Sequence, residues 1–264
     1  MFVTSRADRR LDVGERVLDQ VVAERWVERW DRQQERYIAD REERFRVIGD
    51  VVEHVCAATG TPVVVDLGCG PGSLSTRLRA RLPAARIVGV DQDPFLLGLA
   101  RAGRAPIEYV RAELGSPGWV DVLGVGTGWD AAVSTTALHW LSPERLADVY
   151  RDLAAAIRPG GVLVNGDHLH DEQPAVRELA EVVRHRRAER AGVVENEEWS
   201  AWWDAVRADP DLGRVFTDRE LRPESGGHGN GLSVGSHVDA LRRAGFGEVG
   251  VVWQSGDDHV VVAV

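Results

Sequence analysis

The chain has 264 residues and a formal net charge of -10, with 42 acidic side chains against 32 basic ones, a balance that argues against a partner as polyanionic as nucleic acid, whose binders present a basic face. Every basic residue is an arginine, so lysine Schiff-base chemistry is also excluded. The length suits one α/β domain with an insertion; the two cysteines, Cys56 and Cys69, give neither a disulfide framework nor a zinc spacing, and with no apolar signal region or membrane-length window a cytoplasmic protein is expected.

Residues 1–60 read as helical and mixed in charge. Trp26, Trp30, Tyr37 and Arg41 recur near one helical angle, which predicts an aromatic stripe docked on the core. Residues 61–169 alternate strand and helix patterns. Val63–Val65 reads as a strand buried on both faces, followed by Asp66 and by Gly68, Gly70 and Gly72, then by a helix over Leu74–Leu82. Glycines at alternate positions let backbone amides approach a ligand, and the following helix aims its N-terminus at it. The turn is G-x-G-x-G, with Ser73 where a dinucleotide fingerprint carries its third glycine. Asp66 is ill placed for a pyrophosphate and suits a cationic group.

Further strands are expected at Ile87–Asp91, in the run Tyr109–Leu114, from Trp129 toward Leu141, and after the turn in Ile157–Val164. Residues 170–235 break the alternation with two helices, Pro174–Ala191 and Asn196–Ala208, and a glycine-rich loop, Ser225–Gly231, that reads as a hinge or surface loop. Residues 236–264 return to a helix near Val238–Phe246 and two strand-like runs flanking Gln254–Asp258. Alternation of this kind predicts a doubly wound sheet with its ligands at the carboxyl ends of the strands.

The ordered motifs, Asp66 with its glycine turn, Asp91 at the end of the second strand, Glu113 after the third, the segment Thr135–Leu141 and the turn Pro159–Gly161, resemble those of the class I S-adenosylmethionine (SAM) dependent methyltransferases. The resemblance implies a Rossmann-like, doubly wound, seven-stranded sheet with an antiparallel last strand, N-terminal helices over the cofactor site and a helical lid insertion. It implies SAM as cofactor, held by Asp66, Gly68, Gly70, Gly72, Asp91, Gln92, Glu113, Leu114 and Thr135, with Asp91 on the ribose and Glu113 near the adenine, and with Tyr37 and Arg41 above. The reaction implied is methyl transfer to a small-molecule nucleophile, as in secondary metabolism.

A hydroxyl or acidic carbon needs a base, and His139 and His168, just past the fourth and fifth strands, are the candidates. Tyr37 is a further catalytic candidate. Trp30, Trp199, Trp203 and His170 are expected to face the substrate, the tryptophans as an aromatic wall. Asp167, His168 and His170 lack a strong fourth ligand, so no metal is expected. His54, His185 and His237 read as surface or packing residues without partners, and Arg184–Arg190 as a solvated helix face. Three other readings stay open: a SAM-dependent self-alkylation or aminocarboxypropyl transfer, a NAD-dependent oxidoreductase, and a SAM-binding protein without chemistry. A homodimer is possible, since lid insertions can pair across subunits.

Overall fold

The computed structural model describes residues 18–103, 105–217, 219–221 and 229–264. Seven strands form one sheet in the order β3-β2-β1-β4-β5-β7-β6. The strands β1 (Val63–Leu67), β2 (Arg86–Asp91), β3 (Glu108–Arg111), β4 (Trp129–Thr135) and β5 (Ile157–His168) run parallel. The last two, β6 (Val249–Ser255) and β7 (Asp258–Ala263), form a hairpin, and β7 lies antiparallel to β5. The chain order reverses direction across the sheet between β1 and β4, the switch point where such sheets open a crevice for ligands.

The period of two in the strands divides the core into two layers. Val65, Leu67, Val88, Val90 and Ala132 face a layer closed by α6 (Pro143–Ala156) and α9 (Val234–Ala244). Val64, Ile87, Ala131, Val133 and Val164 face the opposite layer, closed by α2 (Arg41–Cys56) and α3 (Ser73–Arg81). A third apolar cluster lies outside the sheet, where Trp26 of α1 (Gln20–Glu35), Phe95 of α4 (Pro94–Ala102) and Trp202 and Trp203 of α8 (Trp199–Ala208) pack together. Trp202 is its hub, with Trp26, Trp30 and Trp203 edge-on at centroid distances of 5.5, 5.0 and 5.1 Å.

Several elements differ from the sequence expectations. The helix after the glycine turn starts at Ser73, one residue early. The expected helix from Asn196 starts at Trp199 because Arg36 takes the carbonyls of Val194 and Asn196 as acceptors, the latter at 2.8 Å, and holds that segment against α1. His237 is fully buried and not without a partner: its Nδ1 lies 2.7 Å from the Tyr150 hydroxyl. The run Arg184–Arg190, in α7 (Pro174–Ala191), is not wholly solvated, since Arg184 pairs with Asp257 at 3.2 Å and Arg187 reaches Asp258 at 3.4 Å and covers the Trp253 ring. Residues 1–17 of the N-terminal segment and 225–228 of the glycine-rich loop lie outside the described residues. Among the described residues no helix is long and apolar enough to cross a membrane.

Candidate active site

A cavity of about 1240 Å³ opens at the carboxyl ends of β1, β2, β4 and β5 and is roofed by the end of α1, by α7 and by the start of α8. It exceeds the roughly 300–1,000 Å³ of an ordinary small-ligand cleft, enough for two molecules side by side. Of the residues singled out in the sequence, the cavity wall includes Trp30, Tyr37, Arg41, Gly68, Gly70, Asp91, Gln92, Glu113, Leu114, Thr135, His139, His168, His170, Trp199 and Trp203. Asp66 and Gly72 stand behind that wall.

The floor is the glycine turn. Gly68, Gly70 and Gly72 all have positive φ, 65°, 53° and 84°, the region other residues reach only at a cost. They serve different ends. A Cβ on Gly68 would sit 2.3 Å from the Ala137 methyl and one on Gly72 2.3 Å from the Tyr109 hydroxyl, so both permit packing behind the turn. A Cβ on Gly70 would meet nothing nearer than Trp30, at 4.0 Å, because it would point into the cavity. The amides of Gly68 and Cys69 donate to Val90, and that of Gly70 to Asp91 Oδ2 at 2.8 Å. Asp91 Oδ1 accepts from the Asp93 amide, while Asp93 itself caps α4.

Asp66 is completely buried, with one carboxylate oxygen accepting from the Ser75 hydroxyl and the other without a partner among the described residues. Burial, with the Asp91 charge behind it, pushes its carboxyl up to about 7 despite the Ser75 bond. Arg41 is buried as well and paired with Asp31 at 2.8 Å. Glu113 is largely exposed and pairs with Arg145 at 3.2 Å. Thr135 accepts from Arg44, a fully buried arginine that also binds Asp258 Oδ1 through Nε at 2.7 Å.

On the opposite side of the cavity, His139 Nδ1 lies 2.8 and 3.0 Å from the two oxygens of Asp167. Asp167 is fully buried at the end of β5 and also accepts from the His168 amide. A carboxylate only accepts, so Nδ1 carries the hydrogen and Nε2 keeps its lone pair. Nε2 has no partner among the described residues and is not sealed off, so it opens to the cavity. Burial opposes the imidazolium, yet Asp167 outweighs it and holds His139 above the usual histidine value. His168 behaves differently: burial, reinforced by Arg44, lowers it to about 3, so it is neutral and a weak base.

On the roof, the Tyr37 hydroxyl accepts from the Trp199 amide at 3.0 Å, joining the turn after α1 to α8, and Trp199 and Trp203 stand edge to face at 6.0 Å. Asn230 donates to the His139 carbonyl at 2.7 Å and through its side chain to that of Leu141 at 3.0 Å. Among the described residues, no group of three or more histidine, cysteine or acidic side chains is arranged to hold a metal ion.

Sequence reasoning missed Asp167 as the partner of His139, along with Arg44, Trp140 and Asn230. A signal for Asp167 was present: β4 and β5 are adjacent parallel strands in which Thr135 pairs with Gly166, so residues just beyond the two ends must meet.

A methyltransferase-domain family model matches residues 64–161. The trans-aconitate 2-methyltransferase of Rhodopseudomonas palustris (strain BisB18) is 30% identical over 67% of this chain and 68% of its own length. The chain belongs to the class I SAM-dependent methyltransferases. The enzyme of the same name from Azoarcus sp. (strain BH72) is 34% identical over 58% of this chain, a match that spans only 56% of that relative. Human N-acetylserotonin methyltransferase in complex with SAM shares the fold, with a TM-score of 0.50 at 16% identity, covering 89% of this chain and 56% of that one.

The residues present fit the family's cofactor. The open face of Gly70 is a cradle that any side chain would fill, and the partnerless oxygen of buried Asp66 leaves an acceptor beneath the turn.

Proposed function

We propose that this chain transfers a methyl group from SAM to a small-molecule nucleophile, with His139 as the general base. The observation that carries the reading is the hydrogen-bonded His139–Asp167 pair, opening to the same cavity as the glycine turn. Gly68, Gly70 and Asp91 would hold the cofactor from the floor, with Gln92, Glu113 and Leu114 alongside. SAM supplies a methyl group on a positively charged sulfur, which keeps the electron pair of the bond that breaks.

The protein's part is alignment, exclusion of water and management of one proton. Asp167 fixes the His139 tautomer and ring orientation, the role an aspartate has in a catalytic triad. His168, with its low basicity, lines the wall without competing for the proton. Helices α7 and α8 serve as a lid whose aromatic face closes over the acceptor, tied to the turn after α1 through Tyr37. Arg41, paired with Asp31, which also accepts from the Ser73 hydroxyl, braces the end of the glycine turn.

The name carried by the curated relatives offers one acceptor to try, trans-aconitate, a tricarboxylate. Purified protein incubated with SAM, first alone and then with acceptors, and followed by mass spectrometry, tests the reading. S-adenosylhomocysteine formed together with a methylated acceptor is the expected result. Methylthioadenosine formed without any acceptor would assign the chain to self-alkylation or side-chain transfer instead.

A further inference from the structure

We infer that the acceptor is a neutral, planar molecule bearing an ionisable hydroxyl, such as a phenol or enol, and not a carboxylate. This rests on the methyl-transfer reading of the site. Three independent features of the cavity lead to it.

The first is charge. The described wall carries four arginines, Arg36, Arg41, Arg145 and Arg184. Each already faces a carboxylate: Glu198 at 2.9 Å, Asp31 at 2.8 Å, Glu113 at 3.2 Å and Asp257 at 3.2 Å. Besides Glu113, the same wall carries three further acids, Asp91, Asp93 and Asp167. A di- or tricarboxylate entering here meets no surplus of positive charge among the described residues, and each of its charges would lose water without a partner.

The second is shape. Trp30, Trp140, Trp199 and Trp203 line the cavity together with Tyr37. Flat aromatic walls bury a planar ring at little entropic cost and offer an ionic acceptor no opposite charge.

The third is the base. A carboxylate acceptor, with a pKa near 4, is already deprotonated at neutral pH and needs no proton removed, whereas a phenolic hydroxyl, near 10, does. The fully buried Asp167 fixes the imidazole with Nδ1 protonated and Nε2 free to accept, the arrangement that removal of a proton requires. In the resulting step the acceptor's O–H proton passes to His139 Nε2, its oxygen forms the bond to the methyl carbon, and the electrons of the broken C–S bond stay on sulfur; the imidazolium later releases the proton to solvent.

Among the described residues, the charged and titratable groups around His139 are Asp167 and His168 on β5, Arg44 on α2 and His237 on α9. Burial opposes the charged imidazole of His139 but Asp167 outweighs it, and the pH profile separates two uses of the ring. As a base it works when neutral, so the rate rises with pH. As a cationic anchor for a carboxylate it works when charged, so the rate falls.

The test uses 2-naphthol and trans-aconitate as probes. The whole chain is first titrated with S-adenosylhomocysteine by calorimetry; no binding there would defeat the methyl-transfer reading itself. On the saturated complex, tryptophan fluorescence then follows each probe. The expected result is 2-naphthol binding at least about tenfold more tightly than trans-aconitate, naphthol methyl ether formed with SAM, and a rate that rises with pH. His139→Gln should leave naphthol affinity within about threefold while turnover falls by about a hundredfold or more. Equal or tighter trans-aconitate binding, no naphthol binding, or a rate that falls with pH would overturn the inference and leave cofactor binding standing.

Discussion

The floor and the roof of the cavity are built on different principles. The floor, at the ends of β1, β2, β4 and β5, is made of backbone turns and of polar groups sealed from water: the three positive-φ glycines, Asp66 at no exposure, and Asp167 at no exposure against His139. The roof, from α1, α7 and α8, is made of aromatic rings around Trp202 and of arginine–carboxylate pairs at the surface. Buried polar geometry is all-or-none, because a displaced partner leaves an uncompensated group in low dielectric. Ring contacts and exposed ion pairs degrade gradually, the pairs being worth about 0–1 kcal/mol each. Substitutions on the floor should therefore act steeply and those on the roof shallowly.

The largest expected effect is at His139. His139→Gln should lower kcat by about 10²- to 10⁴-fold with cofactor affinity nearly unchanged, as steady-state kinetics and calorimetry would show; equal losses in both would recast it as a binding residue. Asp167→Asn should also lower the plateau and shift the rising limb of the pH–rate curve to lower pH. The carboxylate is what holds His139 above its usual value, so its loss lets the imidazole become neutral earlier.

Next is the cradle. Gly70→Val places a side chain in the cavity and strains a φ of 53°, and should weaken S-adenosylhomocysteine by about a hundredfold, some 2.7 kcal/mol, with the far-ultraviolet spectrum unchanged. Gly72→Val, directed at Tyr109, should instead lower the melting temperature, so the pair separates binding from packing within a single turn.

Asp66 tests the sealed layer beneath. Its carboxyl sits near 7 in the fold and near 4 when unfolded, so its contribution to stability is complete below about pH 4 and is lost as pH rises toward 7. Asp66→Asn keeps an acceptor for Ser75 but cannot ionise. It should match the parent near pH 4 and melt several degrees higher at pH 8, read from thermal scans across that range; an unchanged pH dependence would show that Asp66 does not titrate there.

The smallest effect belongs to the roof. Tyr37→Phe removes one hydrogen bond to the Trp199 amide, worth about 0.5–1.5 kcal/mol, and should raise the acceptor KM by a few fold with kcat nearly constant. A collapse of kcat would show that the roof is as stringent as the floor.

Local composition carried much of the floor. Val63–Leu67 followed by alternating glycines dictates strand and turn because three β-branched residues favour the strand and only glycine takes the positive φ that follows. His139 was legible as a residue just past a strand end. Its partner was not recognised, because Asp167 in sequence terms was one more polar residue beside two histidines. The roof was less legible: the tryptophans could be assigned to a helix but not to the hub at Trp202, and helix α8 lost its expected first residues to Arg36, far away in the chain.

The sequence by itself thus determined the element order, the conformation of the glycine turn and the residue types available for chemistry, since these follow from periodicity and from backbone sterics within a few residues. Only the tertiary structure decided which charges neutralise one another. His139 with Asp167, Arg44 with Asp258 and Arg184 with Asp257 are joined across the fold, and electrostatic pairing depends on distance in space and on exclusion of water, neither of which is written into any short stretch of chain.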